Sequence, residues 1–104
     1  LMEKLASADL SALRETIDKL KSELKSAVII LSAVDQGKVT LAVGVTNDLI
    51  QKIKAGDIAS DLAIAIGGKG GGKPDLAMAG GSKPELLDQA FNDCLTKIKK
   101  IILN

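Results

Sequence analysis

Apolar residues at Ala6, Leu10, Leu13, Ile17, Leu20, Leu24 and Ala27 are spaced alternately by four and three positions. Arg14, Glu15, Asp18, Lys19, Lys21 and Glu23 fill the gaps between them. That rhythm predicts an amphipathic helix over 6–27 with a single apolar seam. Ser7 or Asp9 would cap it, which makes residues 1–6 the end of a preceding helix. Three heptads of seam suit a coiled-coil or dimer contact, and equally a helix lying on its own domain. Residues 1–26 are therefore set apart as a helical segment from a globular part over 27–104.

The period then changes. Residues 27–46, AVIILSAVDQGKVTLAVGVT, hold two β-branched runs around Asp35-Gln36-Gly37-Lys38 and predict a β-hairpin in which Gly37 supplies positive φ. Both arms are apolar at nearly every position, the pattern of strands buried on both faces of a larger sheet. Thr46 or Asn47 then starts a short helix carrying Leu49, Ile50 and Ile53, which Gly56 ends. Leu62-Ala63-Ile64-Ala65-Ile66 alternates like a strand, while Ile58, Leu62, Ala65 and Ile66 fit a helix. Asp57 as a start and Gly67 as a stop favour the helix.

Asp75-Leu76-Ala77-Met78-Ala79 reads as a strand joining the sheet. Ser82-Lys83-Pro84-Glu85 is a capping box, with Ser82 as N-cap, Glu85 at N3 and Pro84 in the first turn. The helix it opens places Leu87, Ala90, Phe91, Cys94, Leu95, Ile98 and Ile101/Ile102 on one face, with Cys94 as a small core hydrophobe. The fold class is α/β (α+β): a leading amphipathic helix, then a β-hairpin and a later strand in a mixed sheet packed by helices.

Composition narrows the chemistry. One Phe and no Trp or Tyr argue against nucleic-acid binding by base stacking. The absence of histidine removes His-dependent acid–base, triad and metal chemistry together. Cys94 is the only cysteine, so no internal disulfide forms, which fits a reducing compartment. No apolar run approaches the ~18 residues of a membrane span, and the N-terminus lacks a signal-peptide pattern. A soluble, cytoplasmic protein without catalytic or metal-binding residues is expected. A net charge of +1 means that any basic surface is local.

That leaves residues 67–81, GGKGGGKPDLAMAGG, with seven of the ten glycines of the chain and two lysines. A glycine loop lets another backbone approach closely, and converging N–H donors beside Lys69 and Lys73 suit an anion or nucleic acid. Gly67 to Lys73 matches the start of a P-loop, but Pro74 stands where Mg²⁺ needs a Ser or Thr hydroxyl. Proline also disfavours helical backbone at Lys73. A dinucleotide fingerprint needs glycines at offsets 0, 2 and 5, and no register provides them. Lys97, Lys99 and Lys100 form a second basic group, read first as a solvated helix end that complements the dipole.

The run resembles the glycine-rich hallmark GG-x-GGG-x-x-x-x-A-x-x-G of the DHH-associated domain family. The matching residues are Gly67, Gly68, Gly70, Gly71, Gly72, Ala77 and Gly80. Lys73-Pro74-Asp75 and the following S-K-P-E-L-L are similar to the form at the C-terminus of bacterial-type alanyl-tRNA synthetases. The likeness covers about residues 27–103, and the leading helix fits the helical part that precedes the globular part in that family. The phosphoesterase branch carries a histidine where this chain has Lys73, which disfavours it.

The resemblance implies a non-catalytic domain that binds the tRNA elbow and helps aminoacylation and editing domains act on one alanine-accepting tRNA. It implies ATP, Mg²⁺ and zinc sites in other domains, and a homodimer contact available to the helix over 6–27. A dimerisation or structural module of the same enzyme, and the substrate domain of a DHH-family phosphoesterase, are the alternatives. The residues expected to touch RNA or an anion are Gly67, Gly68, Lys69, Gly70, Gly71, Gly72 and Lys73, then Lys97, Lys99 and Lys100.

Overall fold

In the computed structural model, residues 2–5, 10–23 and 26–103 are described. The two β-branched arms pair as expected: β2 (Val28–Asp35) runs antiparallel to β3 (Lys38–Val45). Asp35 pairs with Lys38 across a two-residue turn in which both Gln36 and Gly37 have positive φ, 51° and 78°. That is the primed geometry whose twist matches the flanking strands. At the open end of the hairpin, the Ala27 N–H donates to Thr46 Oγ1 at 2.9 Å. The Thr46 hydroxyl donates in turn to Asp48 Oδ1 at 2.6 Å. Hydroxyls of Ser26 and Thr46 hold the Asp48 carboxyl below the usual carboxylate range.

The hairpin is the centre of a five-stranded sheet of order β1-β2-β3-β5-β4, mixed because β1 (Met2–Leu5) runs parallel to β2. Residues 2–5 are thus an edge strand and not the end of a helix. The helix that follows, α1, is described over Leu10–Glu23. Residues 6–9 and 24–25 of the predicted 6–27 seam, with the expected caps Ser7 and Asp9, lie outside the described residues, and Ala27 is not helical. Its Leu13 and Ile17 are fully buried against Ile29, Leu31 and Ala42 on one face of the sheet.

Val28, Ile30, Val39, Leu41, Val43 and Val45 point to the other face, where two helices cover them. The first of these is α2 (Ala55–Ala65), so the ambiguous stretch is helical. It starts two residues before Asp57, and Gly56 lies inside it and does not end a preceding helix. Before it, residues Asn47–Leu49 make only a 3-10 turn, to which Thr46 gives no side-chain cap. The second covering helix is α3 (Leu87–Leu103).

The capping box does not form. The Ser82 hydroxyl turns to the Gly67 carbonyl at 3.4 Å, and the chain enters α3 through a 3-10 turn at Pro84–Leu86. Leu87, Ala90, Phe91, Cys94 and Ile98 are buried as expected, whereas Leu95 and Ile101 stay 39% and 43% exposed. Burial, with the Asp61 charge as a smaller cause, pushes the Cys94 thiol up to about 11, so it packs as a hydrophobe.

One core position is mismatched. Ser32 is fully buried on β2, and its Oγ has no hydrogen-bond partner among the described residues. An orphaned hydroxyl costs desolvation with nothing gained in return. Ser32→Ala is therefore expected to raise stability by about 1 kcal/mol. Urea unfolding followed by circular dichroism should show a higher midpoint at unchanged slope. A lower midpoint would mean that the hydroxyl is satisfied.

Candidate nucleic-acid interface

The glycine run is not a loop. After α2 ends, Lys69–Gly72 form strand β4 at the sheet edge, antiparallel to β5 (Leu76–Gly81). Gly67 is the residue that stops α2, with φ of +76°. Its N–H reaches the Ile64 carbonyl at 3.3 Å and the Gly68 N–H reaches that of Ala63 at 2.8 Å. This double closure is the Schellman ending that favours glycine. The expected convergence of N–H donors on one point is thus replaced by an antiparallel ladder and a helix cap.

Pairing divides the strand between two surfaces. Gly70 faces α2, where an added Cβ would stand 2.4 Å from the Ala79 Cβ and 3.0 Å from the Ala59 carbonyl oxygen. Gly72 packs on the same side, because a Cβ on Gly56 of α2 would meet its carbonyl oxygen at 2.8 Å. Lys69 and Gly71 alternate with them, so the pleat directs them to the face that carries α1. Both are exposed, and no atom lies within 4 Å of where a Cβ on Gly71 would be. Of the five glycines that open the run, Gly71 alone meets open space in this way.

The turn Lys73-Pro74-Asp75 is fastened from three directions. The Ala55 N–H at the start of α2 donates to the Pro74 carbonyl at 2.8 Å. The Asp75 carbonyl accepts from the Val45 N–H at 3.0 Å and from Lys21 Nζ of α1 at 3.1 Å. Lys21 Nζ also stands 4.0 Å from the Asp75 carboxylate. Pro74, which spoils the P-loop pattern, thus serves the fold, because its carbonyl takes the first N–H of a helix without a side-chain cap.

Between this turn and α1 lies a cleft of about 370 Å³, lined by Arg14, Asp18, Gly71, Lys73, Asp75 and Met78 among others. Arg14 is the residue that periodicity conceals, because it reads as one more charge on the outer face of α1. The three lysines of α3 lie on the helix that covers the opposite face of the sheet, so the two expected basic groups do not form one site. Lys97 pairs with Asp61 of α2 at 3.4 Å, with both side chains well exposed. Lys99 and Lys100 are exposed.

Among the described residues no three His, Cys, Asp or Glu side chains are placed to hold a metal ion. No described helix is long and apolar enough to cross a membrane.

The DHHA1 domain family model matches residues 1–102. An alanine–tRNA ligase of Dechloromonas aromatica (strain RCB) is 59% identical over 87 residues, which are 84% of this chain and 10% of that protein. One from Acidovorax sp. (strain JS42) is 57% identical over 91 residues, covering 88% and 10%. The chain thus spans about a tenth of the length of these curated relatives. The fold matches the crystal structure of the C-Ala domain of Aquifex aeolicus alanyl-tRNA synthetase with a TM-score of 0.83 at 24% identity. That match covers 96% of this chain and 86% of the other. The chain belongs to the DHHA1 domain family and corresponds, by homology, to the C-terminal domain of alanyl-tRNA synthetases.

Proposed function

We propose that this domain binds the tRNA of an alanine–tRNA ligase at its elbow, and that the α1 face of the β4–β5 hairpin makes the contact. Binding there holds one tRNA for the aminoacylation and editing domains, which carry the ATP, Mg²⁺ and zinc chemistry in the cytoplasm. The observation that carries this reading is the arrangement of the edge strand. Lys69 and Lys73 flank the uncovered Gly71, beside a turn anchored to α1, α2 and β3. A folded RNA is recognised largely by shape, phosphate and 2′-hydroxyl contacts, which requires no aromatic platform.

The test is the double variant Lys69→Ala with Lys73→Ala, titrated with an alanine-accepting tRNA transcript over a range of salt concentrations. Binding should weaken, and the dependence of log K on log salt should become shallower by about two units, one for each phosphate no longer neutralised. Unchanged affinity and slope would make the hairpin purely structural. Lys97→Ala serves as the comparison, and its engagement with Asp61 predicts a smaller effect.

A further inference from the structure

We propose that the cleft between α1 and the β4–β5 turn seats a single ribose-phosphate unit of the RNA. In it Arg14 and Lys73 hold the phosphate, and Asp18 accepts a hydrogen bond from the ribose 2′-hydroxyl. This rests on the tRNA-binding reading above and adds to it the means by which the surface tells RNA from DNA.

The cleft is not simply basic. Cations come from both walls, Arg14 from α1 and Lys73 from the turn, but Asp18 and Asp75 line it as well. Asp75 is accounted for, because Lys21 holds both its carbonyl and its carboxylate. Asp18 has no ion pair among the described residues and is exposed.

An ionised carboxylate only accepts hydrogen bonds, and it repels phosphate. Its place among phosphate-seeking cations suits a ligand with a donor beside its anionic group. Along an RNA backbone that donor is the 2′-hydroxyl, which DNA lacks. Arg14 and Asp18 are one helical turn apart, about 5–6 Å between Cβ atoms, so they address neighbouring groups of one nucleotide. Gly71 leaves the floor of the cleft open, and the half-buried Leu76 and Met78 offer apolar contact to the sugar ring.

Binding of the 104-residue chain to an alanine-accepting tRNA transcript and to an all-deoxy oligonucleotide of the same sequence tests the assignment. Wild type should prefer the RNA. Asp18→Ala should weaken RNA binding about 5- to 10-fold, the worth of one such hydrogen bond, while DNA binding holds or strengthens. Electrostatics alone predicts the opposite for RNA, because a negative charge has been removed. Asp18→Asn keeps an acceptor and should retain the RNA preference.

Arg14→Gln should weaken both ligands and make the salt slope shallower by about one unit. Arg14 and Asp18 are both exposed on a helix surface, and circular dichroism verifies that the variants fold. An unchanged RNA-to-DNA ratio in Asp18→Ala, or an unchanged slope in Arg14→Gln, overturns the assignment. The tRNA-binding reading survives that result as long as wild type binds the transcript. A wild type that binds no tRNA removes both.

Discussion

Gly68→Ala is expected to cost about 4 kcal/mol or more, the range that single substitutions reach through a few severe defects, here an overlap of backbone atoms. A Cβ on Gly68 would stand 1.7 Å from the Gly80 carbonyl oxygen, 2.5 Å from the Gly81 Cα and 2.6 Å from the Gly80 carbonyl carbon. Every one of these atoms is backbone, so no side chain can swing aside. Neither partner is free to retreat. Gly68 is held by its bond to Ala63 at the end of α2, while β5 is paired on both sides and Ser82 and Lys83 N–H groups bind the Ile66 carbonyl.

A domain of this size has about 5–15 kcal/mol of total stability, so the variant should be largely unfolded or close to it. Gly80→Ala is the control. Its added Cβ would meet only the Val39 carbonyl oxygen, at 3.3 Å, and a change within about 1 kcal/mol is expected. The chain has no Trp or Tyr, so far-UV circular dichroism in urea is the suitable probe. Equal midpoints for the two variants would show that the end of α2 does not rest on β5.

Gly68 also shows where the sequence stops being informative. The β2–β3 hairpin was legible because β-branched residues, a turn pair and two-sided burial all leave marks in composition. The buried face of α3 was legible from its period of 3.6. Strand β4 left no such mark, since KGGG has neither alternation nor β propensity. It becomes a strand because β5 opposite it is built of Ala77, Ala79, Gly80 and Gly81, which leave room for close pairing under α2. That is a property of two segments together. Strand β1 was illegible for a similar reason: its four residues pair with β2 only once α1 has carried the chain across the sheet.

The site divides along the same line. Lys69 and Lys73 were readable as charges in an unusual context. The order β3-β5-β4 was not readable, and it alone brings Arg14, Asp18 and Lys21 of α1 to the hairpin turn and leaves Lys97, Lys99 and Lys100 on the helix behind the sheet.

Leu13→Asp is expected to unfold the chain, which distinguishes two uses of the seam on α1. If the 6–27 seam served a second subunit, an acidic residue at its centre would produce folded monomers. In the structure the described centre of the seam is already occupied. Leu13 and Ile17 are fully buried against Ile29, Leu31 and Ala42 of the same chain. The fit against β3 is close enough that a Cβ on Gly44 would stand 2.4 Å from the Ile17 Cγ2.

A carboxylate placed there has no partner and is shut away from water, so the cost is again about 4 kcal/mol or more. Leu20→Asp, at a half-buried position on the rim, should cost less and leave the fold intact. Sedimentation combined with circular dichroism reads both variants. Loss of the dichroism signal in Leu13→Asp, with tRNA binding lost because Arg14 and Lys21 come from the same helix, is the expected result. A folded monomeric Leu13→Asp chain would instead assign the seam to a partner subunit and leave the α1 face of the sheet without its cover.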